Sequence, residues 1–168
     1  MEWVRVPSPI GDLGLSVDDG AVRGVSFGLP VEPTDAAQVE TSAAATLAEV
    51  RRELTEYFAG ERTDFTVPYV FRKGSEFERA VWAVIAAIPY GETMSYGAVA
   101  RAVGEPGGAQ AVGTACNHNP VPIIVPCHRV IGSDGKLVGF GGGLGRKQFL
   151  LSLEARVHIE RVFSGELP

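Results

Sequence analysis

A cysteine stands directly before a histidine in the run Pro126-Cys127-His128-Arg129-Val130. Thiolate is the nucleophilic form of sulfur, and a free thiol is mostly protonated at neutral pH, so such a cysteine needs a base or a cation beside it. The pair is entered through Pro120-Val121-Pro122-Ile123-Ile124-Val125, a stiff apolar run that reads as a proline-punctuated strand. Neighbouring side chains of a strand point to opposite faces, so sulfur and imidazole meet there only across a sharp turn or a bridging water. A buried structural cysteine beside a hydrogen-bonded histidine is the competing reading of the bare pair, because free Cys is among the most buried residue types.

Helical elements precede this pair. Ser75 with Glu78 three residues on forms a capping box, opening a helix with Phe77, Val81, Ile85 and Ile88 on one face, stopped at Pro89-Tyr90-Gly91. Ser95 caps a second helix through about Val103, and a third is expected from Gly108 to His118, ended by Asn119-Pro120. Two short helices joined by a Gly/Pro turn match a helix-turn-helix with the later helix as reader, although a plain helical hairpin has the same spacing. The later helix is rich in small residues: Gly108, Ala109, Ala111, Gly113, Thr114 and Ala115. Gly113 costs about 1 kcal/mol relative to Ala inside a helix, which points to tight packing or to close approach of a nucleic-acid groove. Beyond Cys127, residues 131–137 read as a hairpin-like turn or wing. Phe140-Gly141-Gly142-Gly143 lacks the spacing and terminal Lys-Ser/Thr of a phosphate-binding loop, and fits a backbone that lines a pocket. Leu144 to about Leu153 reads as a closing helix with Glu154 near its end.

The first part of the chain has a different pattern. Residues 3–6, 13–17 and 22–27 alternate as strands, with Asp18-Asp19-Gly20 as a hairpin turn. From about Thr41 to Ala59 the residues Leu47, Val50, Leu54, Tyr57 and Phe58 follow helical spacing, and Gly60 suits a C-terminal cap. Phe65–Val70 reads as one more strand. The expected fold class is α+β. A small N-terminal α/β sheet domain over 1–71 acts as scaffold, and a mainly helical, winged helix-turn-helix-like domain over 72–168 carries the chemistry.

Composition excludes several classes. The chain has 168 residues, 45% hydrophobic and 21% charged, ordinary for a soluble globular protein. No apolar run reaches the length of a bilayer span and the N-terminus has no charged-then-apolar leader, so a cytoplasmic location and no membrane partner are expected. Two cysteines, Cys116 and Cys127, are too few for a disulfide framework, and with three histidines they give no zinc-site spacing. No metal and no cofactor is expected. The net charge of −5 is uneven: residues 1–71 carry 5 Lys/Arg against 12 Asp/Glu, and 72–168 carry 10 against 8. Phosphate binding depends on local cations rather than the total, so the second part retains a weak basic footprint.

The run Asn119-Pro120-Val121-Pro122-Ile123-Ile124-Val125-Pro126-Cys127-His128-Arg129-Val130 resembles the active-site signature of the O6-alkylguanine-DNA alkyltransferases. The resemblance extends through Pro89–Gly97 and Ala111-Val112-Gly113 upstream, and through Gly142-Gly143-Leu144 to Leu150–Glu154 downstream, covering roughly residues 75–155. It implies an irreversible, single-turnover transfer of an alkyl group from guanine O6 in double-stranded DNA to Cys127, with the damaged nucleotide flipped out. By the same resemblance His128 is the base acting through a water, Glu154 orients it, Asn119 holds the active-site turn, and Tyr96 assists the leaving base. Gln110, Ala109, Gly113, Thr114, Tyr96, Arg129 and Ser95 would contact DNA through the minor groove. Tyr96, Val130, Ser133, Phe140 and Gly141 would form the alkyl-base pocket, with the Cys127 and Val130 carbonyls reading the base edge. The familiar relatives have a tyrosine where Phe140 stands and a small hydroxyl residue where Gly141 stands. Some also hold an N-terminal zinc, which the lack of Cys and His before Cys116 rules out here. Gln110 occupies the place of an intercalating arginine, and it supplies neither charge nor guanidinium stacking. A monomer is implied, with cooperative assembly on DNA and reach to O4-alkylthymine left open.

Three alternatives share parts of this pattern. A non-catalytic alkylated-DNA-binding relative would lack the reactive cysteine that Cys127 provides. A helix-turn-helix regulator would need more base-reading side chains on its recognition helix. A cysteine hydrolase does not place its Cys and His side by side.

Overall fold

The computed structural model describes residues 2–18, 20–138 and 140–166, so Asp19 of the expected hairpin turn lies outside the described residues. The backbone separates into two compact units, residues 1–73 with 120–122 and residues 74–119 with 123–168.

The first unit is a three-stranded antiparallel sheet, β1 (Val4–Val6), β2 (Leu13–Asp18) and β3 (Ala21–Phe27), in the order β1-β2-β3. Val4 pairs with Leu15 and Leu15 with Val25, so these apolar residues share one face. Helix α1 (Thr41–Phe58) adds Leu47, Val50, Leu54 and Tyr57 to this core. Trp3 lies close over the sheet: a Cβ on Gly24 would come within 2.7 Å of its ring, and one on Gly14 within 3.1 Å.

Phe65–Val70 does not form the expected strand; only a bridge between Val22 and Tyr69 forms. Proline 68 has no N–H to give a ladder. The Thr66 and Val67 N–H groups are spent on the buried Glu53 carboxylate of α1, at 2.8 and 3.2 Å.

In the second unit, α2 (Glu76–Ala86) starts at the full capping box between Ser75 and Glu78. The other carboxylate oxygen of Glu78 meets His118 Nδ1 at 2.6 Å, tying the start of α2 to the end of α4 (Ala109–Asn117). Deeper in, Trp82 Nε1 donates to the Ala115 carbonyl at 2.8 Å. Between them α3 (Tyr96–Ala102) is capped by the Ser95 hydroxyl, which accepts from Ala98 N–H. Gly104 turns the chain after α3 with φ +82°, and α3 and α4 have the layout of a helix-turn-helix. Strands β4 (Met94–Ser95) and β5 (Val130–Ile131) pair in parallel, joining the start of α3 to the end of the active-site segment.

The closing helix α5 (Leu144–Phe163) runs well past the expected end at Leu153. No breaker occurs before Ser164-Gly165, and Leu150, Leu153 and Val157 keep one face buried. Glu154 is therefore mid-helix. Among the described residues no helix is long and apolar enough to cross a membrane.

Candidate active site

The segment before Cys127 is a turn, not the expected strand. Three prolines in seven residues remove ladder donors, and Ile123 takes φ +74°, a left-handed conformation unusual for a β-branched residue. Cys127–Arg129 then forms one 3-10 turn, with Cys127 N–H donating to Val125 O and Arg129 N–H to Pro126 O, both at 2.9 Å. That turn buries both Cys127, 2% exposed, and His128, fully buried.

Asn119 Nδ2 donates to the Val125 carbonyl at 2.9 Å and to Cys127 Sγ at 3.0 Å, so one amide holds the turn and the sulfur together. His128 Nε2 lies 2.6 Å from Glu154 Oε2. Burial works against the Glu154 charge, yet hydrogen bonds and charges from His128 and Arg129 prevail and hold its carboxyl down at about 2. An ionised Glu154 accepts, so the His128 proton sits on Nε2. Nδ1 is left with its lone pair, buried and, among the described residues, without a hydrogen-bond partner. Burial also lowers the His128 pKa, keeping the ring neutral near pH 7.

Arg129 corrects a sequence expectation. It is 6% exposed, its guanidinium bonds both Glu154 oxygens and the Ile88 carbonyl, and it lies 5.5 Å from the Tyr90 ring centroid. A side chain so engaged cannot reach DNA. Nothing in its local sequence distinguishes it from a surface cation.

Lys147 is the residue that the sequence reading missed. It is fully buried, and Nζ donates to Val130 O at 2.6 Å, Val138 O at 3.1 Å and Tyr96 Oη at 3.3 Å. Three donors meet three acceptors. The signal was present: Lys147, Leu150, Glu154 and Val157 share one stripe of α5, and a cation on a core-facing stripe calls for a buried partner. Tyr96 in turn donates to Val138 O at 2.9 Å. Burial, with the nearby Cys116 and Cys127 sulfurs adding to it, pushes the Tyr96 phenol up to about 12, so the hydroxyl stays protonated.

A cleft of about 550 Å³ opens beside these groups, lined by Tyr96, Gly97, Ala109, Gln110, Gly113, Thr114, Asn117, Ser133 and Val138. The expected α4 residues are thus brought together with Tyr96 and Ser133, and Gly97, Asn117 and Val138 join them. Gly113 is tight against this wall: a Cβ there would lie 3.8 Å from Tyr96 Cε1. Val130, Phe140 and Gly141 do not line the cleft. The Val130 carbonyl is engaged by Lys147, and the Cys127 carbonyl by Val130 N–H. The Ser95 hydroxyl serves as the α3 cap.

A buried thiol held by Asn119, next to a histidine paired with a buried glutamate, on a unit with a helix-turn-helix, marks a candidate cysteine-nucleophile protein of nucleic-acid-binding type. Comparison gives the family. Residues 76–156 match the 6-O-methylguanine DNA methyltransferase DNA binding domain, and residues 3–70 match its ribonuclease-like domain. A methylated-DNA–protein-cysteine methyltransferase of Mycolicibacterium paratuberculosis is 48% identical over 93% of this chain and 93% of its own. One of Methanosarcina acetivorans is 43% identical over 92% and 98%. The Mycobacterium tuberculosis OGT structure in complex with DNA superposes with a TM-score of 0.80 at 41% identity, covering 94% of each chain. The chain belongs to the 6-O-methylguanine DNA methyltransferase family.

Proposed function

We propose that this protein repairs DNA by moving the alkyl group of O6-alkylguanine onto Cys127 Sγ, once per molecule and without cofactor or metal. The observation that carries the reading is the Cys127 sulfur held by Asn119, with the neutral His128 tautomer fixed by Glu154 beside it in the same turn. In this reading the thiol proton passes through a bridging water to His128 Nδ1. The sulfur–carbon bond forms as the carbon–O6 bond breaks, and the departing guanine takes a hydrogen bond or proton from Tyr96. Lys147 favours that donation, since a cation on the phenol oxygen makes its proton more acidic. The thioether that results has no route back.

The relative solved in complex with DNA supports a DNA partner, which this reading takes as double-stranded. Residues 72–168 would bind it, with Ala109, Gln110, Gly113 and Thr114 of α4 entering the minor groove, while 1–71 serves as scaffold. Small side chains suit that narrow groove, and its degenerate code suits inspection of any sequence. Gln110 fills part of the gap left by the flipped nucleotide. The protein acts as a monomer in the cytoplasm, where reducing conditions keep Cys127 a thiol.

Mass spectrometry after incubation with a duplex containing O6-methylguanine tests this. One methyl on Cys127 is expected. Binding with unchanged mass would instead make the protein a non-catalytic reader of alkylated DNA.

A further inference from the structure

The second cysteine lies beside the first. Cys116 sits in the last turn of α4, and its thiol is near enough to that of Cys127 for each to shift the other's titration. Asn119 clamps the two together: its backbone N–H donates to the Cys116 carbonyl at 3.2 Å while its side chain donates to Cys127 Sγ at 3.0 Å. Cys127 is sealed from solvent, whereas Cys116 is only half-buried and is flanked in sequence by Asn117, which lines the open cleft. We propose that Cys116 and Cys127 form a redox-active dithiol, closed to a disulfide by peroxide and reopened by thiol reductants, so that the nucleophile is switched off and on reversibly.

The chemistry balances with hydrogen peroxide as oxidant. The Cys116 sulfur attacks one peroxide oxygen, the O–O bond breaks, and Cys116 becomes a sulfenic acid with release of one water. The Cys127 sulfur then attacks the Cys116 sulfur, forming the S–S bond. The expelled hydroxide takes the Cys127 proton as a second water. The two sulfurs together give up two electrons and the peroxide accepts them. The order of attack follows from the surroundings. The neighbouring Cys127 thiol and the Lys147 charge lower the Cys116 thiol despite its burial, while burial and the Cys116 neighbour raise Cys127. Thiolate character and access both favour Cys116 as the first target.

No Lys or Arg lies between Arg101 and Arg129, so trypsin releases both cysteines on one peptide. After peroxide, that peptide from monomeric protein should weigh two hydrogens less, and untreated mass should return with dithiothreitol. Methyl transfer should fall more than about tenfold in step and recover with reductant. Cys116→Ser and Cys116→Ala, each compared with its own untreated rate, should keep most of their transfer through the same peroxide exposure, because the sealed Cys127 then has no partner sulfur. Unlinked peptide carrying added oxygen in the wild type would overturn the proposal. So would a peroxide-dependent loss of transfer in the Cys116 variants equal to that of the wild type. The peptide mass does not depend on alkyl transfer, so failure of the proposed function would be seen separately.

Discussion

Arg129 grips Glu154 with two guanidinium nitrogens, Nε to Oε1 at 2.7 Å and Nη2 to Oε2 at 3.0 Å, with both side chains buried. The same carboxylate holds His128, so one buried anion orders two residues of the active-site turn. Arg129→Ala should destabilise the protein by about 3–5 kcal/mol, the usual result of removing one partner of a buried pair. Urea unfolding measures this. A stable variant whose DNA affinity had a salt slope smaller by about 1 would return Arg129 to the DNA surface.

Acid should unfold the protein in two steps. His128 has a lowered folded pKa, so below its ordinary value of 6.5 the unfolded chain takes up a proton that the folded chain refuses. Glu154 is held at about 2 against an ordinary 4.5, so its contribution is present above 4.5 and is lost as pH falls toward 2. That second loss is on the order of 3 kcal/mol. Denaturant midpoints from pH 8 to pH 3 should fall across both ranges in the wild type. Glu154→Gln should start less stable and show a smaller drop below pH 4.5, the remainder coming from carboxyls such as that of Glu53, which, against burial, hydrogen bonds from Thr66 and Val67 also hold down.

Cys127→Ser should abolish methyl transfer and leave duplex binding largely intact, because the hydroxyl is nearly isosteric but far less nucleophilic. Single-turnover assays and a binding titration on the same duplex separate the two. Transfer at a measurable fraction of the wild-type rate would remove Cys127 from the nucleophile role.

Tyr96→Phe and Lys147→Met should each slow transfer by roughly 10- to 1000-fold, with smaller losses in DNA affinity. Lys147 acts on the base only through Tyr96 in the proposed scheme, so the double variant should be little slower than the slower single one. Independent, multiplying effects would mean that Lys147 is a packing residue for Val130 and Val138.

Gln110→Arg should speed repair of duplex DNA more than reaction with free O6-methylguanine base. The side chain lies on the cleft wall and in the proposed scheme acts only on flipping, which the free base does not need. The salt dependence on duplex should steepen slightly if the new cation approaches phosphate. Equal changes in both rates would show that position 110 does not support the opened stack.

Features closed by short-range hydrogen bonds were legible in the chain. Ser75 and Glu78 announce α2, Ser95 announces α3, and the spacing of Leu47, Val50 and Leu54 announces α1, because caps and helical stripes are settled within a few residues. Cys127-His128 was legible as a candidate pair for the same local reason. What only the tertiary structure decided depends on burial. Pro68 and the Glu53 carboxylate cancelled the strand over 65–70, and the Ile123 kink turned an expected strand into the 3-10 turn that buries Cys127 and His128 together. Arg129 looks like a solvent-seeking cation along the chain, and the stripe of α5 marks Lys147 as core-facing without naming its partner. Packing placed one on Glu154 and the other on Tyr96, far away in sequence. A charged side chain acquires its role from the partner that meets it out of water, and that partner is chosen by the fold rather than by its neighbours in sequence.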